Sequence, residues 1–94
     1  MKVQKRSKLQ IYFGVLKILR EELKQNGHPS LTRVAHVANL PYDRFRDCLD
    51  YLIQVGMVSR GGEKLIVTDK GCEFIQEFER INDFLRRMGL SSEI

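Results

Sequence analysis

Two arginines mark the part of the sequence that is best suited to binding an anion. Pro41 is followed by Tyr-Asp-Arg-Phe-Arg, so Arg44 and Arg46 stand at the start of a segment that soon becomes apolar. A guanidinium group carries five donors in a planar fork, which matches a phosphate or the hydrogen-bonding edge of a base. Tyr42 adds an aromatic ring beside them. These residue types predict recognition of an anionic or flat polar partner.

The other reactive residue types form no catalytic or metal-binding pattern in the sequence. Cys48 and Cys72 lack a CxxC spacing and a nearby histidine, so we interpret both as small core or half-buried residues, with a disulfide as the alternative. We interpret His28, which precedes a proline, and His36 as surface or half-buried side chains. No third group completes a set of nucleophile, base and orienting residue. We therefore predict no enzymatic activity, no metal, no cofactor and no small-molecule ligand.

The charge of the chain favours an anionic partner. The 94 residues include 16 Lys and Arg against 12 Asp and Glu, which gives a net charge of +4 and an isoelectric point near 9.3. Much of the basic excess lies in the first eight residues, where Lys2, Lys5, Arg6 and Lys8 stand without an acid. The sequence lacks the run of ~20 apolar residues that a membrane span needs, and it lacks a signal peptide, so we expect a cytoplasmic protein.

Apolar residues that repeat at intervals of three and four predict three helices in the first 55 residues of the chain. The predicted helices cover residues 7–26, 31–38 and 42–55. Gly27 is suited to a left-handed cap after the first helix, and Pro41 is suited to the start of the third. A tight turn therefore joins the second and third helices.

A hairpin and a long helix are predicted next. Two β-prone stretches, 57–60 and 63–67, are joined by Gly61-Gly62, and we expect these glycines to supply the positive φ angles of a tight turn. Thr68 is suited to capping a last helix that ends near Gly89.

The order helix, helix, helix, strand, strand, helix predicts a winged helix-turn-helix, a mainly α fold with a small β-hairpin. We predict a single domain over residues 1–94. Its winged helix-turn-helix core covers residues 7–67, and its C-terminal coiled-coil helix covers residues 68–89.

The second helix of a helix-turn-helix usually enters the DNA major groove, and its N-terminal residues contact base edges. Tyr42, Arg44 and Arg46 occupy that position, so we expect them to supply any base preference. We expect phosphate contacts, which carry no sequence information, from the wing and from a basic N-terminal arm. These candidates are Lys5, Arg6, Lys8, Arg60 and Lys64, and Arg33 joins them if the basic residues share one surface.

The acids of the third predicted helix leave a second interpretation open. Asp43, Asp47 and Asp50 give this helix three acids against two arginines. The arginines are then solvated charges that pair with acids at helical spacing. If the acids dominate the exposed surface, the domain is better suited to binding a protein in a larger assembly than to binding DNA.

The last predicted helix carries an apolar seam with the spacing of a coiled coil. Its members are separated by four, three, four and three residues, a heptad pattern, and they are Phe74, Phe78, Ile81, Leu85 and Met88. We predict that the seam forms a homodimer. An antiparallel pairing would place two winged domains at opposite ends, but two heptads leave the orientation open. The alternative is that the first helix alone covers the seam, with Gly14 permitting close approach.

Three stretches of the sequence resemble small archaeal winged-helix DNA-binding proteins. They are KRSKLQIYFGVLKILRE, LTRVAHVANLPYDRFRDCLDYLIQVGMV and TDKG, and the resemblance extends from Lys5 to Met88. This family includes a ten-kilodalton chromatin-associated type that dimerises through a C-terminal coiled coil. The resemblance implies a nucleoid-associated DNA-binding homodimer that regulates transcription or organises chromatin. Pro41 stands where the family often has a polar residue, a change that a helix start tolerates.

Overall fold

The structure is a computed structural model that describes residues 7–62 and 64–90. Its elements follow the predicted order, namely α1 (Lys8–Asn26), α2 (Leu31–Val37), α3 (Tyr42–Gln54), β1 (Val58–Gly61), β2 (Lys64–Val67) and α4 (Asp69–Arg87). The strands pair antiparallel as a two-stranded sheet. The predicted fold class is confirmed: the chain is mainly helical, with a small hairpin and a long last helix.

Side-chain hydrogen bonds cap the first two helices and fix where each of them begins. The Ser7 hydroxyl accepts a hydrogen bond from the Gln10 N–H at 3.1 Å. The Gln10 side chain accepts one from the Ser7 N–H at 2.8 Å, which completes a capping box. Ser30 caps α2 by accepting from the Arg33 N–H at 3.3 Å. Gly27 ends α1 with a φ of 78°, the left-handed cap that was predicted.

The hydrophobic core holds α3 in one rotational setting. The largest fully buried side chains come from all four helices and from β1, and they are Phe45, Leu16, Leu19, Leu49, Leu52, Ile75, Val15, Val34 and Val58. Burial of one such side chain contributes about 1.5–3 kcal/mol. Because α3 contributes three of them, rotating it about its axis would expose large apolar groups. One face of α3 is therefore fixed inward and the opposite face is fixed outward.

The hairpin turn lies one residue later than predicted. Gly61 is the last residue of β1 and pairs with Lys64, so the turn begins at Gly62 rather than at Gly61. Gly62 has a φ of 63°, which glycine adopts without strain. Glu63, which the sequence placed in the second strand, lies outside the described residues. The glycine pair predicted the approximate position of the turn. It did not predict that Gly61 pairs with the opposite strand.

A junction of hydrogen bonds joins the end of α3 to the start of α4. The Thr68 hydroxyl donates to the Gly56 carbonyl at 2.6 Å, and the Thr68 N–H donates to the Met57 carbonyl at 3.0 Å. The Lys70 ammonium donates to the Val55 carbonyl at 2.7 Å. A helix end leaves carbonyl groups without partners. The first residues of α4 therefore satisfy the carbonyls that follow α3 and hold the hairpin between the two helices.

Gly71 allows α4 to lie directly on the base of the hairpin. A Cβ atom at this position would lie 2.4 Å from the Met57 carbonyl oxygen and 2.8 Å from Val67 Cγ1. The first of these atoms is backbone, so it has no rotamer with which to move away. The TDKG motif therefore combines a helix cap, a cation for the end of α3 and a glycine that permits close packing.

The first part of the α4 seam packs on α1 within the same chain. The rings of Phe13 and Phe78 lie 4.6 Å apart, and Lys17 Nζ lies 2.9 Å from Glu79 Oε2. A Cβ atom added to Gly14 would meet nothing within 4 Å, so this packing does not depend on Gly14. The expectation that Gly14 permits the approach is therefore wrong, although α1 does cover part of the seam.

We predict opposite effects for alanine at the two helical glycines. Gly71→Ala should lower the free energy of unfolding by about 1–3 kcal/mol, because the added methyl group overpacks the junction. Gly14→Ala is the matched control, and it should raise that free energy by about 0.5–1 kcal/mol because glycine is a poor helix former. Urea unfolding followed by circular dichroism measures both. A Gly71→Ala protein at least as stable as the parent would contradict the close approach.

Candidate nucleic-acid interface

The outward face of α3 is a row of acids. Phe45, Cys48, Leu49 and Leu52 are buried. At about 100° per residue, the opposite side of the helix is occupied by residues spaced four, three and four apart. These residues are Asp43, Asp47, Asp50 and Gln54, and all of them are exposed. We call Asp43, Asp47 and Asp50 the acid row.

Arginines lie on the two sides of the acid row, Arg46 on one side and Arg44 on the other. The Arg46 guanidinium carbon lies 5.9 Å from the centroid of the Tyr42 ring, a cation–π contact. The Tyr42 ring also lies 6.1 Å from the Phe45 ring, so it is anchored at the helix start while 42% of its surface stays exposed. Tyr42 thus both packs on the helix and presents a surface that holds Arg46.

The ion pairs that the sequence allowed within α3 do not form among the described residues. Arg44 and Arg46 are exposed, and neither has a carboxylate within 4.0 Å there. The charges of α3 are therefore available to a partner. This holds for the acid row as much as for the arginines.

Arg44 lies beside Lys8 at a small cleft between α1 and α3. Two tyrosines of the cleft, Tyr12 and Tyr51, stack with centroids 5.3 Å apart and an interplanar angle of 27°. Lys8 is exposed in the first turn of α1. The other residues of the predicted basic arm, Lys5 and Arg6, lie outside the described residues.

The wing carries Arg60 and Lys64 against the turn between α1 and α2. Both basic residues line a groove of about 470 Å³ together with His28, Pro29, Leu31, Gly62 and Leu65. The sequence indicated only that His28 is a surface or half-buried side chain. Its place beside two cations follows from the packing of the hairpin on a turn more than thirty residues earlier, for which a local pattern gives no signal.

Arg33 differs from the other basic candidates because it supports a buried carboxylate. Arg33 Nε lies 3.4 Å from Glu22 Oε2, and the Glu22 side chain is only 11% exposed. Burying a carboxylate is costly unless a cation or hydrogen-bond donor compensates it. The Arg33 side chain itself is 64% exposed, so it stabilises α1 against α2 while keeping surface that a partner can reach.

The cysteines have the environments that the sequence favoured. Both are free thiols, with Cys48 buried and Cys72 half-buried. Burial raises the pKa of the Cys48 thiol to about 11, so this thiol stays protonated at neutral pH. Among the described residues, no group of three or more His, Cys, Asp or Glu is placed to hold a metal ion. In that same part of the chain, the helices are too short or too polar to cross a membrane.

The predicted dimer seam is divided by the fold. Phe78 is buried within the chain, with only 5% of its surface exposed, and Phe74 is partly buried against the core. Ile81, Phe84 and Met88 remain 47%, 51% and 57% exposed, and Leu85 beside them is half-buried. We call Ile81, Phe84 and Met88 the distal stripe. The apolar side chains of α4 that are still free for a partner are therefore the seam residues beyond Phe78, together with Phe84, which lies next to the seam.

Comparison with known proteins agrees with this geometry. A family model described as winged helix-turn-helix matches residues 5–86. The chain belongs to the winged helix-turn-helix family. Such domains are typically DNA-binding and non-enzymatic, and the resemblance to winged-helix proteins seen in the sequence is confirmed.

An uncharacterized protein of Methanocaldococcus jannaschii, an archaeon, is 33% identical to this winged helix-turn-helix chain over 67 residues. The matched region covers 71% of this chain and 64% of the relative. The chain thus spans less than two thirds of the length of that relative.

Proposed function

We propose that this winged helix-turn-helix protein binds double-stranded DNA, with α3 in the major groove and the wing on the sugar–phosphate backbone. The observation that carries the proposal is the distribution of cations around α3. Arg44 and Arg46 stand on the two edges of its exposed face, and Arg60 and Lys64 stand together on the wing. Membership of a family that typically binds DNA supports the same function.

The acid row sets how α3 meets the groove. In a major groove the phosphates line the two walls and the base edges form the floor. A helix with arginines on its edges places them within reach of the outer base edges beside each wall, while the acid row faces the middle of the floor, where cytosine and adenine present amino donors. Since the acids also repel phosphates, we expect moderate affinity rather than tight nonspecific binding.

The cations then have two kinds of role. Lys8, Arg60 and Lys64, with Lys5 and Arg6 of the N-terminal arm, contact phosphates and supply affinity. Tyr42, Arg44 and Arg46 supply base preference, and the cation–π contact between Tyr42 and Arg46 limits the freedom that Arg46 must lose on binding.

The same acid row favours one competing function. An exposed line of three carboxylates with no ion pair in the described residues suits a basic protein surface as well as a DNA groove. In this second candidate, the domain is an adaptor in a larger assembly and does not contact DNA.

We predict salt-dependent binding to a random duplex of about 30 base pairs, measured by fluorescence anisotropy. The logarithm of the affinity should fall linearly with the logarithm of salt concentration, with a slope near −0.9 for each phosphate contacted. Arg60→Gln and Lys64→Gln should each reduce the magnitude of this slope by about 0.9 for every protein subunit bound to the duplex. Arg80→Gln, which removes an exposed α4 arginine paired with Glu77, is the control and should leave the slope unchanged.

Absence of binding at low salt would contradict the DNA proposal and favour the adaptor. Equal slope changes in all three variants would show that binding depends on total charge rather than on the wing.

We further propose that the protein is a homodimer joined through the distal stripe. Contiguous apolar side chains on a surface favour association, and the seam has coiled-coil spacing. In an antiparallel arrangement, the two-fold pair buries the distal stripe of one copy against that of the other. Such a dimer holds two winged domains apart, as suits a cytoplasmic, nucleoid-associated transcription regulator or chromatin protein.

We predict that Ile81→Lys with Phe84→Lys gives a folded monomer, because both side chains are about half exposed in the single chain. Gln76→Lys, which introduces the same side chain at an exposed site on another face of α4, should remain dimeric. Sedimentation velocity distinguishes the two states. A parent protein that sediments as a monomer at micromolar concentration, or a double variant that remains dimeric, would contradict the distal stripe as the interface.

A further inference from the structure

The cleft between α1 and α3 has the composition of a small ligand site. Its buried or half-buried lining consists of Ile11, Tyr12, Leu40 and Cys48, and Tyr51 lies beside them with 45% of its surface exposed. Because Tyr51 stacks on Tyr12, its position is fixed while part of its ring stays open to solvent. Aromatic rings prefer offset or edge contacts with a further ring. The lining therefore favours an aromatic group.

The Tyr12 hydroxyl and the Cys48 thiol bring no negative charge into the cleft at neutral pH. Burial, followed by the proximity of Tyr51 and Cys48, raises the pKa of the Tyr12 hydroxyl, so Tyr12 stays protonated. Burial likewise keeps the Cys48 thiol protonated. Hydroxyl and thiol groups in this form do not repel an anion.

The exposed residues of the cleft give it a positive balance. Lys8 and Arg44 carry two cations against the single carboxylate of Asp47. Neither cation has a carboxylate within 4.0 Å among the described residues. An arginine can hold a carboxylate through two parallel hydrogen bonds, and a nearby ammonium adds to that attraction.

The volume limits the ligand to a single ring. The cleft has about 200 Å³, and typical sites for drug-sized ligands have about 300–1,000 Å³. A nucleotide or a fused polycyclic compound exceeds this space, whereas a benzene ring with one carboxylate fits it.

We propose that this cleft binds a small aromatic carboxylate, with the ring against Tyr51 and the carboxylate between Lys8 and Arg44. No local sequence pattern indicates such a site, because its walls come from segments about thirty residues apart. The site also has a consequence that rests on the proposed DNA-binding function. Since Arg44 is assigned to both partners, the carboxylate and the DNA compete for it, and the ligand lowers the affinity for DNA.

The direct test uses the full chain without DNA. Benzoate is titrated against ¹⁵N-labelled protein, and amide shifts are followed by NMR. We expect saturable shifts at Ile11, Tyr12, Leu40 and Tyr51, with a Kd of about 1 mM for so small a ligand. Cyclohexanecarboxylate, which keeps the charge but lacks the aromatic ring, and benzylamine, which reverses the charge, should each bind at least about fivefold more weakly.

Matched variants locate the site. Tyr51→Leu and Arg44→Gln should each weaken benzoate binding by about fivefold or more. Tyr42→Leu and Arg46→Gln remove the same side-chain types from other exposed positions of α3, and they should change the affinity less than about twofold. Arg44 is exposed, so its variant tests the site even if Tyr51→Leu perturbs packing.

Several results would overturn the site. One is the absence of saturable shifts. Another is that cyclohexanecarboxylate or benzylamine binds as tightly as benzoate. A third is that Tyr42→Leu and Arg46→Gln weaken benzoate binding as much as Tyr51→Leu and Arg44→Gln do. The competition is tested separately by anisotropy with and without benzoate at constant ionic strength. A protein that binds benzoate but not DNA retains the site and refutes the proposed function. One that binds both without mutual interference refutes only the sharing of Arg44.

Discussion

The close approach of α4 to the Met57 carbonyl is the contact on which the rest of the molecule depends. It requires glycine at position 71, because a Cβ atom there would lie 2.4 Å from that oxygen. Thr68 links the same point to the end of α3 through its hydroxyl and its backbone N–H. One short segment thus caps α4, donates hydrogen bonds to the carbonyls that follow α3 and fixes the base of the wing. The relative positions of helix, wing and long helix follow from this junction.

With α3 held by the junction and by the core, its outward face is determined. That face carries the acid row in its centre and an arginine on each side. Whether the domain binds DNA or a protein depends on which of these charges contact the partner. Arginines on the edges and acids in the centre suit a groove whose walls are anionic and whose floor offers amino donors. The arrangement is less suited to a flat anionic surface, where the acids would face phosphates directly.

The features predictable from the sequence were those set by local chemistry. Thr68 caps α4 and Gly27 ends α1 as expected, and helical spacing indicated the inward face of α3. The turn was displaced by one residue, because ladder pairing rather than glycine content decides where Gly61 belongs. The point at which α1 stops covering the α4 seam was not predictable, since the reach of α1 depends on long-range packing at Phe13 and Phe78. The cleft and the wing groove were missed for the same reason.

The central claim is that the outward face of α3 lies against DNA, and the acid row provides its most direct test. The measurement compares the duplex affinity of a triple variant, Asp43→Asn with Asp47→Asn and Asp50→Asn, with that of Glu21→Gln with Glu73→Gln and Glu77→Gln. Both variants raise the net charge by three, at exposed positions in each case. At about 0.1 M salt, where distant charges are screened, the first should bind about tenfold more tightly than the second. Equal affinities would mean that α3 does not face the DNA.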